Sequence, residues 1–312
     1  MKPDLKSPPV IVIGGANMDL TGQAAVDVRA GDSLPGVVRA SAGGVGRNIA
    51  EALARMGRHT RLITALGDDG FAEDIVRQTS VAGVDLRATL RVPERTTSTY
   101  LSVLDRDGEM QLAINDMALV NELTPCVIEA RHRDLDEGCA WVVDANLSEE
   151  TLEALFAHAG SRPVCAEPVS ASKALKLRPH LAQIRLLKPN RMEAAALTGL
   201  DEDCPAQALA DALHTQGVGR VVISLGREGT FASDQDTGVT THVPAFAGPI
   251  VSVTGAGDTL MAALVDTFVD GLPLEPSLAW AQAAASLSLR SERAIHPALC
   301  QAAIRAELEA QS

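Results

Sequence analysis

Basic residues are outnumbered in this 312-residue sequence: 27 Lys and Arg stand against 40 Asp and Glu, a formal charge of −13. A surface this acidic repels phosphate backbones and anionic bilayers, so neither nucleic acid nor a membrane is an expected partner. A small anion is still compatible, because a few backbone amides can hold one locally. Long apolar runs are missing too: none approaches the roughly 18–20 residues needed to span a bilayer. The opening MKPDLKSPPV leads straight into a short strand-like run and lacks the apolar core and small-residue cleavage site of a secretion signal. The five cysteines (Cys126, Cys139, Cys165, Cys204, Cys300) form no C-x-x-C pair. That spacing argues against zinc and against a disulfide framework, and for a reduced, cytoplasmic setting.

What is present is an ordinary globular composition, 46% apolar, long enough for a sizeable core. PVIVIGG reads as a buried strand, GVGRNIAEALARMG as a helix closed by Gly57, TRLITALG as a second strand, and DDGFAEDIVRQTSVAG as a helix with an acidic first turn. From Trp141 onward the alternation resumes, with WVVDAN, PVCAEP, IRLLKPN and RVVISLG as strand ends, each followed by a helical pattern. Three helices are expected at roughly 257–270, 276–291 and 297–310. Strand–helix alternation implies a doubly wound, mostly parallel α/β sheet in one domain over 1–312. Two pieces break that rhythm: strand-like segments at roughly 26–41, and TTSTYLSVLDRDGEMQLAIND, whose polar–apolar alternation around RDGE predicts a hairpin. Together, over about 20–41 and 96–116, they predict a small β flap.

Five constellations could carry chemistry. VTGAGDTLMAALV puts a glycine turn at a helix start, where free amides and the helix dipole favour an anion; the alternative is an ordinary turn with Asp258 as an acidic helix-start residue. GGANMD sets Asn17 and Asp19 two apart at a strand end, a pairing that suits a sugar diol or, equally, a polar turn. SAGGVGRN brings Gly43 and Gly44 before a helix whose first turn holds Asn48. LLKPNRMEA places Asn190 and Glu193 on one face of a helix start, either as a site for metal-bound water or as a capping pattern. VVISLGREG offers Ser224, Gly226 and Gly229 as a turn beneath a nucleotide or as a plain turn.

In this order, SAGGVGRNIAEALARMG and VTGAGDTLMAALV resemble the two signatures of the ribokinase-like (phosphofructokinase-B-type) carbohydrate kinase family. The resemblance extends over essentially the whole chain. It implies a helix-flanked sheet with a small β lid. TSTYLSVLDRDGEMQLAINDM, ANLSEETL, EPVSASK and LKPNRMEA are most similar to members that phosphorylate a nucleoside at its 5′-hydroxyl. By resemblance, Asp258 is the catalytic base, and the amides of Gly255, Ala256 and Gly257 form the anion hole. Asn17, Asp19, Gly43, Gly44 and Asn48 hold the ribose, and Thr99, Asn115 and Asp116 of the lid reach the substrate or its base. Asn190, Ser224, Gly226, Gly229, Thr254 and Gly257 line ATP. Glu193, Asn190 through water, and Glu167 order Mg²⁺. Many relatives hold a monovalent cation with an aspartate two residues before the threonine of the second signature; Ser252 stands there, which leaves a K⁺ requirement open. Lids of this family often pair between subunits, implying a homodimer. The alternatives are a family kinase acting on ribose, another nucleoside or a ketohexose, and a noncatalytic sugar or nucleoside sensor.

Overall fold

The first apolar run, Val10–Ile13 (β1), sends Val10 and Val12 into one core and Ile11 and Ile13 into another. A strand covered on both faces requires this, and each fully buried side chain contributes about 1.5–3 kcal/mol. In the computed structural model, which describes residues 7–29 and 31–311, thirteen more strands follow. They are β2 (Asn17–Ala24), β3 (Gly36–Gly43), β4 (Thr60–Ile63), β5 (Ala65–Leu66), β6 (Leu90–Arg91), β7 (Thr99–Leu104) and β8 (Met110–Asp116), then β9 (Ala140–Asp144), β10 (Val164–Glu167), β11 (Ile184–Leu187), β12 (Arg220–Ser224), β13 (Thr230–Asp234) and β14 (Thr240–Val243). The main sheet runs β14-β13-β12-β11-β10-β9-β1-β4. Its pairings from β12 to β4 are parallel, and β13 and β14 join antiparallel. The helices Val45–Arg55, Ala256–Val269 and Leu274–Ser288 share one core with one face of the sheet. The helices Glu149–Ala159, Arg191–Thr198 and Ala206–Thr215 cover the other face.

β1 does not pass into a helix. It runs through Gly14–Ala16 directly into β2, one of the two inner strands of a separate four-stranded sheet ordered β3-β2-β7-β8. The predicted hairpin is β7–β8, antiparallel with a register shift at Val103/Leu104. β2 pairs with β7 in parallel and with β3 antiparallel. The strand-like reading of 26–41 is corrected: strand occupies Asn17–Ala24 and Gly36–Gly43, and residue 30 lies outside the described residues. Residues 1–6 of the opening segment also lie outside them.

RVVISLG is corrected as well. β12 is followed by a three-residue turn, Gly226–Glu228, and by the antiparallel β13, not by a helix. The next segment, TFASD, is only five residues long and pairs antiparallel with β12 residue for residue. The three C-terminal helices start and stop at Ala256–Val269, Leu274–Ser288 and Gln301–Gln311, within a few residues of expectation.

Candidate active site

The residues singled out in the sequence come largely from the carboxyl ends of the parallel strands, where an open α/β sheet forms its crevice. Asp144 ends β9 and was not anticipated. Its buried carboxylate accepts hydrogen bonds from the amides of Gly15 (2.8 Å), Gly46 (2.9 Å) and Asn146 (2.9 Å). It therefore ties the β1–β2 link to the start of the helix Val45–Arg55. Burial raises its pKa against the pull of those amides. The fit leaves no room for side chains: Gly44 has φ +96°, and a Cβ there would lie 2.5 Å from Ala16 Cα.

This clasp positions Asn48. Its amide nitrogen donates to Asp258 Oδ2 at 2.7 Å, joining two signatures 210 residues apart. Arg47 Nη2 in turn donates to Asn48 Oδ1 at 2.5 Å. Asp258 lies in the first turn of the helix Ala256–Val269, whose N-cap is Gly255 at φ +79°. A Cβ on Gly255 would meet Ala294 O at 1.9 Å. Loss of water around the Asp258 carboxyl pushes its pKa up to about 6, against the Asn48 hydrogen bond and the charge of Lys188. Of the three amides expected to form an anion hole, that of Ala256 bonds Val253 O at 3.4 Å. Ser252 Oγ accepts from the exposed Thr254 amide at 3.1 Å.

Lys188, at the end of β11, was also missed. It is 4% exposed, and a Cβ on Gly257 would lie 3.4 Å from its Nζ. Its ammonium pairs with Glu167 Oε2 at 3.0 Å. Burial pushes Glu167 up to about 8, with Lys188 opposing and Glu193 and Asp258 adding to the rise. Nearby carboxylates, Glu167 first, raise Lys188 despite its burial. Asn190 and Glu193 form a complete capping box: Asn190 Oδ1 accepts from Glu193 N (2.9 Å) and Glu193 Oε2 from Asn190 N (2.8 Å). This occupies one carboxylate oxygen of Glu193. Asn190 also bridges Ser224 in parallel register. Gly226 has open space on its side-chain side, whereas Gly229 is filled there by the Val243 carbonyl, 2.1 Å from a built Cβ. Gly229 thus serves the β12–β13 hairpin.

On the smaller sheet, Asn17 Nδ2 donates to Asp19 Oδ1 at 2.6 Å, and burial raises the Asp19 pKa. Gly43 makes room for the Asp19 carboxylate, which would lie 2.1 Å from a Cβ. Asp19 is opposite Tyr100, and Tyr100 is opposite Asn115, so these three share a face. Thr99 pairs with Met18 and Asp116, which puts Thr99 and Asp116 on the other face. The structure does not bring those two to Asp19. Tyr100, the chain's single tyrosine, went unnoticed because sequence alternation cannot say which face of a hairpin meets a distant strand.

These joined signatures, on a helix-flanked sheet with a second small sheet, define a carbohydrate kinase site, and the chain belongs to the pfkB family of carbohydrate kinases, whose model matches residues 8–299. It is a phosphotransferase with an alcohol acceptor, in the group of sugar and nucleoside kinases. Pseudouridine kinase of Escherichia coli (strain K12) is 38% identical over 294 residues, 93% of each chain. An uncharacterised sugar kinase of the same organism, YeiI, is 37% identical over 291 residues, 93% of this chain and 80% of that one. The structure of a carbohydrate kinase from Agrobacterium tumefaciens superposes with a TM-score of 0.84 at 30% identity, covering 99% of this chain and 97% of its own. The fold is the ribokinase-like one expected from the sequence. Among the described residues no helix is long and apolar enough to cross a membrane.

Proposed function

We propose that this kinase transfers the γ-phosphoryl group of ATP to the 5′-hydroxyl of pseudouridine, giving pseudouridine 5′-phosphate and ADP. The observation that carries the chemistry is the Asn48–Asp258 hydrogen bond at 2.7 Å beside Lys188. It supports Asp258 as the base: Asn48 holds Oδ2, and Oδ1 is left to accept the proton of the attacking hydroxyl. The first-turn amides of Gly255 and Gly257 and the Lys188 ammonium, close to Gly257, support stabilisation of the negative charge that develops on the transferring group. Asn17, Asp19 and Asn48 take the ribose hydroxyls, with Gly43 giving room to the Asp19 carboxylate and Gly44 to the Ala16 backbone. Asn190, Ser224, Gly226 and Thr254 line the nucleotide.

For Mg²⁺, the buried Glu167 carboxylate beside Lys188 and the second oxygen of Glu193 are fitting donors. No group of three or more His, Cys, Asp or Glu converges among the described residues, so the ion would be held through water and phosphate oxygens, as Mg²⁺ commonly is. When bound it would neutralise phosphate charge that Asp258 otherwise repels.

Acceptor choice rests on the likeness to a pseudouridine kinase and on Tyr100, which supplies a stacking face for a base beside Asp19. The second reading, a ribose or other sugar acceptor, is favoured by the nearly equal likeness to a sugar kinase. ADP release measured with pseudouridine, uridine, ribose and fructose separates them. Pseudouridine should give the highest kcat/KM; robust turnover of ribose with none of pseudouridine refutes the specificity. Exposed Val38, Leu112 and Ile114, on the face opposite Asp19, support pairing of two smaller sheets in a homodimer. A monomer by light scattering would remove that reading. Free thiols at all five cysteines support a cytoplasmic setting.

A further inference from the structure

β3 is an edge strand of the smaller sheet. Beside it, against the helices Val45–Arg55 and Gly70–Val81, lies a cavity of about 410 Å³. Arg47, Glu51, Arg55, Arg77, Gln78 and Arg293 line it. Four cations face one carboxylate, in a chain whose formal charge is −13. Glu51 is already held by Arg47 Nη1 at 2.5 Å and by Arg55 Nε at 2.7 Å. Among the described residues Arg77 pairs with exposed Asp74 on its own helix, a contact that water screens. Arg293 is exposed. Arg47 is 2% exposed, and its Nε is buried without a hydrogen-bond partner. Its charge is met by Glu51, yet the cavity keeps a surplus of guanidinium groups, and a phosphate is the anion that guanidinium geometry fits best.

We propose that this cavity is a regulatory site for a small phosphorylated metabolite, with its phosphate among Arg47, Arg77 and Arg293. The route to the chemistry is short. Arg47 donates to Asn48, and Asn48 donates to Asp258. A phosphate against Arg47, which lines the cavity, restrains that side chain without breaking its bonds to Glu51 and Asn48. It thereby holds Asn48, which the proposed function assigns to the acceptor ribose, so acceptor binding tightens. The regulatory part rests on that proposed function; binding itself does not.

The test uses inorganic pyrophosphate and ribose 5-phosphate as probes, in excess Mg²⁺, with a non-hydrolysable ATP analogue saturating the nucleotide site. Calorimetric titration of the full chain should give one site. Arg77→Ala and Arg293→Ala should each weaken it roughly tenfold, the loss of one charged hydrogen-bond partner. Turnover without a probe should be unchanged in both variants, since neither residue belongs to the proposed catalytic machinery. With a probe, KM for the acceptor should fall at least twofold in the wild type and not in the variants. No binding of either probe at millimolar concentration, or equal binding by wild type and both variants, overturns the site. Binding with no change in KM overturns its regulatory role. If no acceptor is phosphorylated yet binding depends on both arginines, the site stands and the kinase specificity fails. Normal turnover without binding has the opposite meaning.

Discussion

Asp258 should set the acid limb of the pH–rate profile. Its pKa is raised from 3.8 to about 6 by loss of water around the carboxyl group. A base works only when ionised, so kcat/KM should be near its plateau at pH 7 and about tenfold lower at pH 5. Asn48→Ala removes the donor that holds the ionised form. A hydrogen bond to a charged group is worth about 1.5–3 kcal/mol, and one pKa unit is about 1.4 kcal/mol, so the limb should move up by about one unit or more. Asp258→Asn should lower kcat by about 10²–10⁴-fold. It should also stabilise the fold. An acid whose folded pKa lies above its unfolded value costs stability once ionised. The rise to about 6 sets a ceiling of about 3 kcal/mol at pH 7, and the partly open residue reduces this to about 1–2 kcal/mol. The gain should be full above pH 6, shrink as pH falls toward 4, and vanish only well below 3.8, where the wild-type carboxyl is protonated in both states. Initial rates across pH 4.5–8.5 and urea melts at pH 4.5 and 7 read both effects. An acid limb near pH 4, a limb unmoved by Asn48→Ala, or an Asp258→Asn variant within tenfold of wild type would refute the reasoning.

Tyr100→Ala should raise KM for pseudouridine by roughly tenfold, the scale of one base–aromatic stack, and leave KM for ribose unchanged. Thr99→Ala and Asp116→Ala, on the other face, should stay within about twofold on both acceptors; equal effects at all three positions would contradict the assigned face. Gly255→Ala should cost about 3 kcal/mol in a denaturant melt, because a side chain at φ +79° meets a backbone carbonyl that cannot rotate away. A variant as stable as wild type would show that the helix start can shift freely.

Much of the molecule was legible along the chain. VIVI reads as a strand buried on both faces because alternate residues feed two cores, and GVGRNIAEALAR reads as a helix that packs against one of them. Both readings of LKPNRMEA proved compatible, since the Asn190–Glu193 capping box uses one oxygen of Glu193. RVVISLGREGT misled, because the punctuation of a strand–helix unit is also that of a hairpin. Lys188 and Asp144 carried no spacing signal: each is one polar residue at a strand end, and only burial beside other charges marks it.

The sequence by itself determined the alternation of elements, the glycine turn before Asp258 and the family. Side-chain periodicity and turn chemistry act over a few residues and are written in order. Only the tertiary structure decided that Asn48 bonds Asp258, that Lys188 lies beside Gly257, and that Tyr100 and Asn115 rather than Thr99 and Asp116 share a face with Asp19. Those relations depend on register between strands about 80 residues apart and on which strand ends meet, and close packing beneath each of the two sheets sets both.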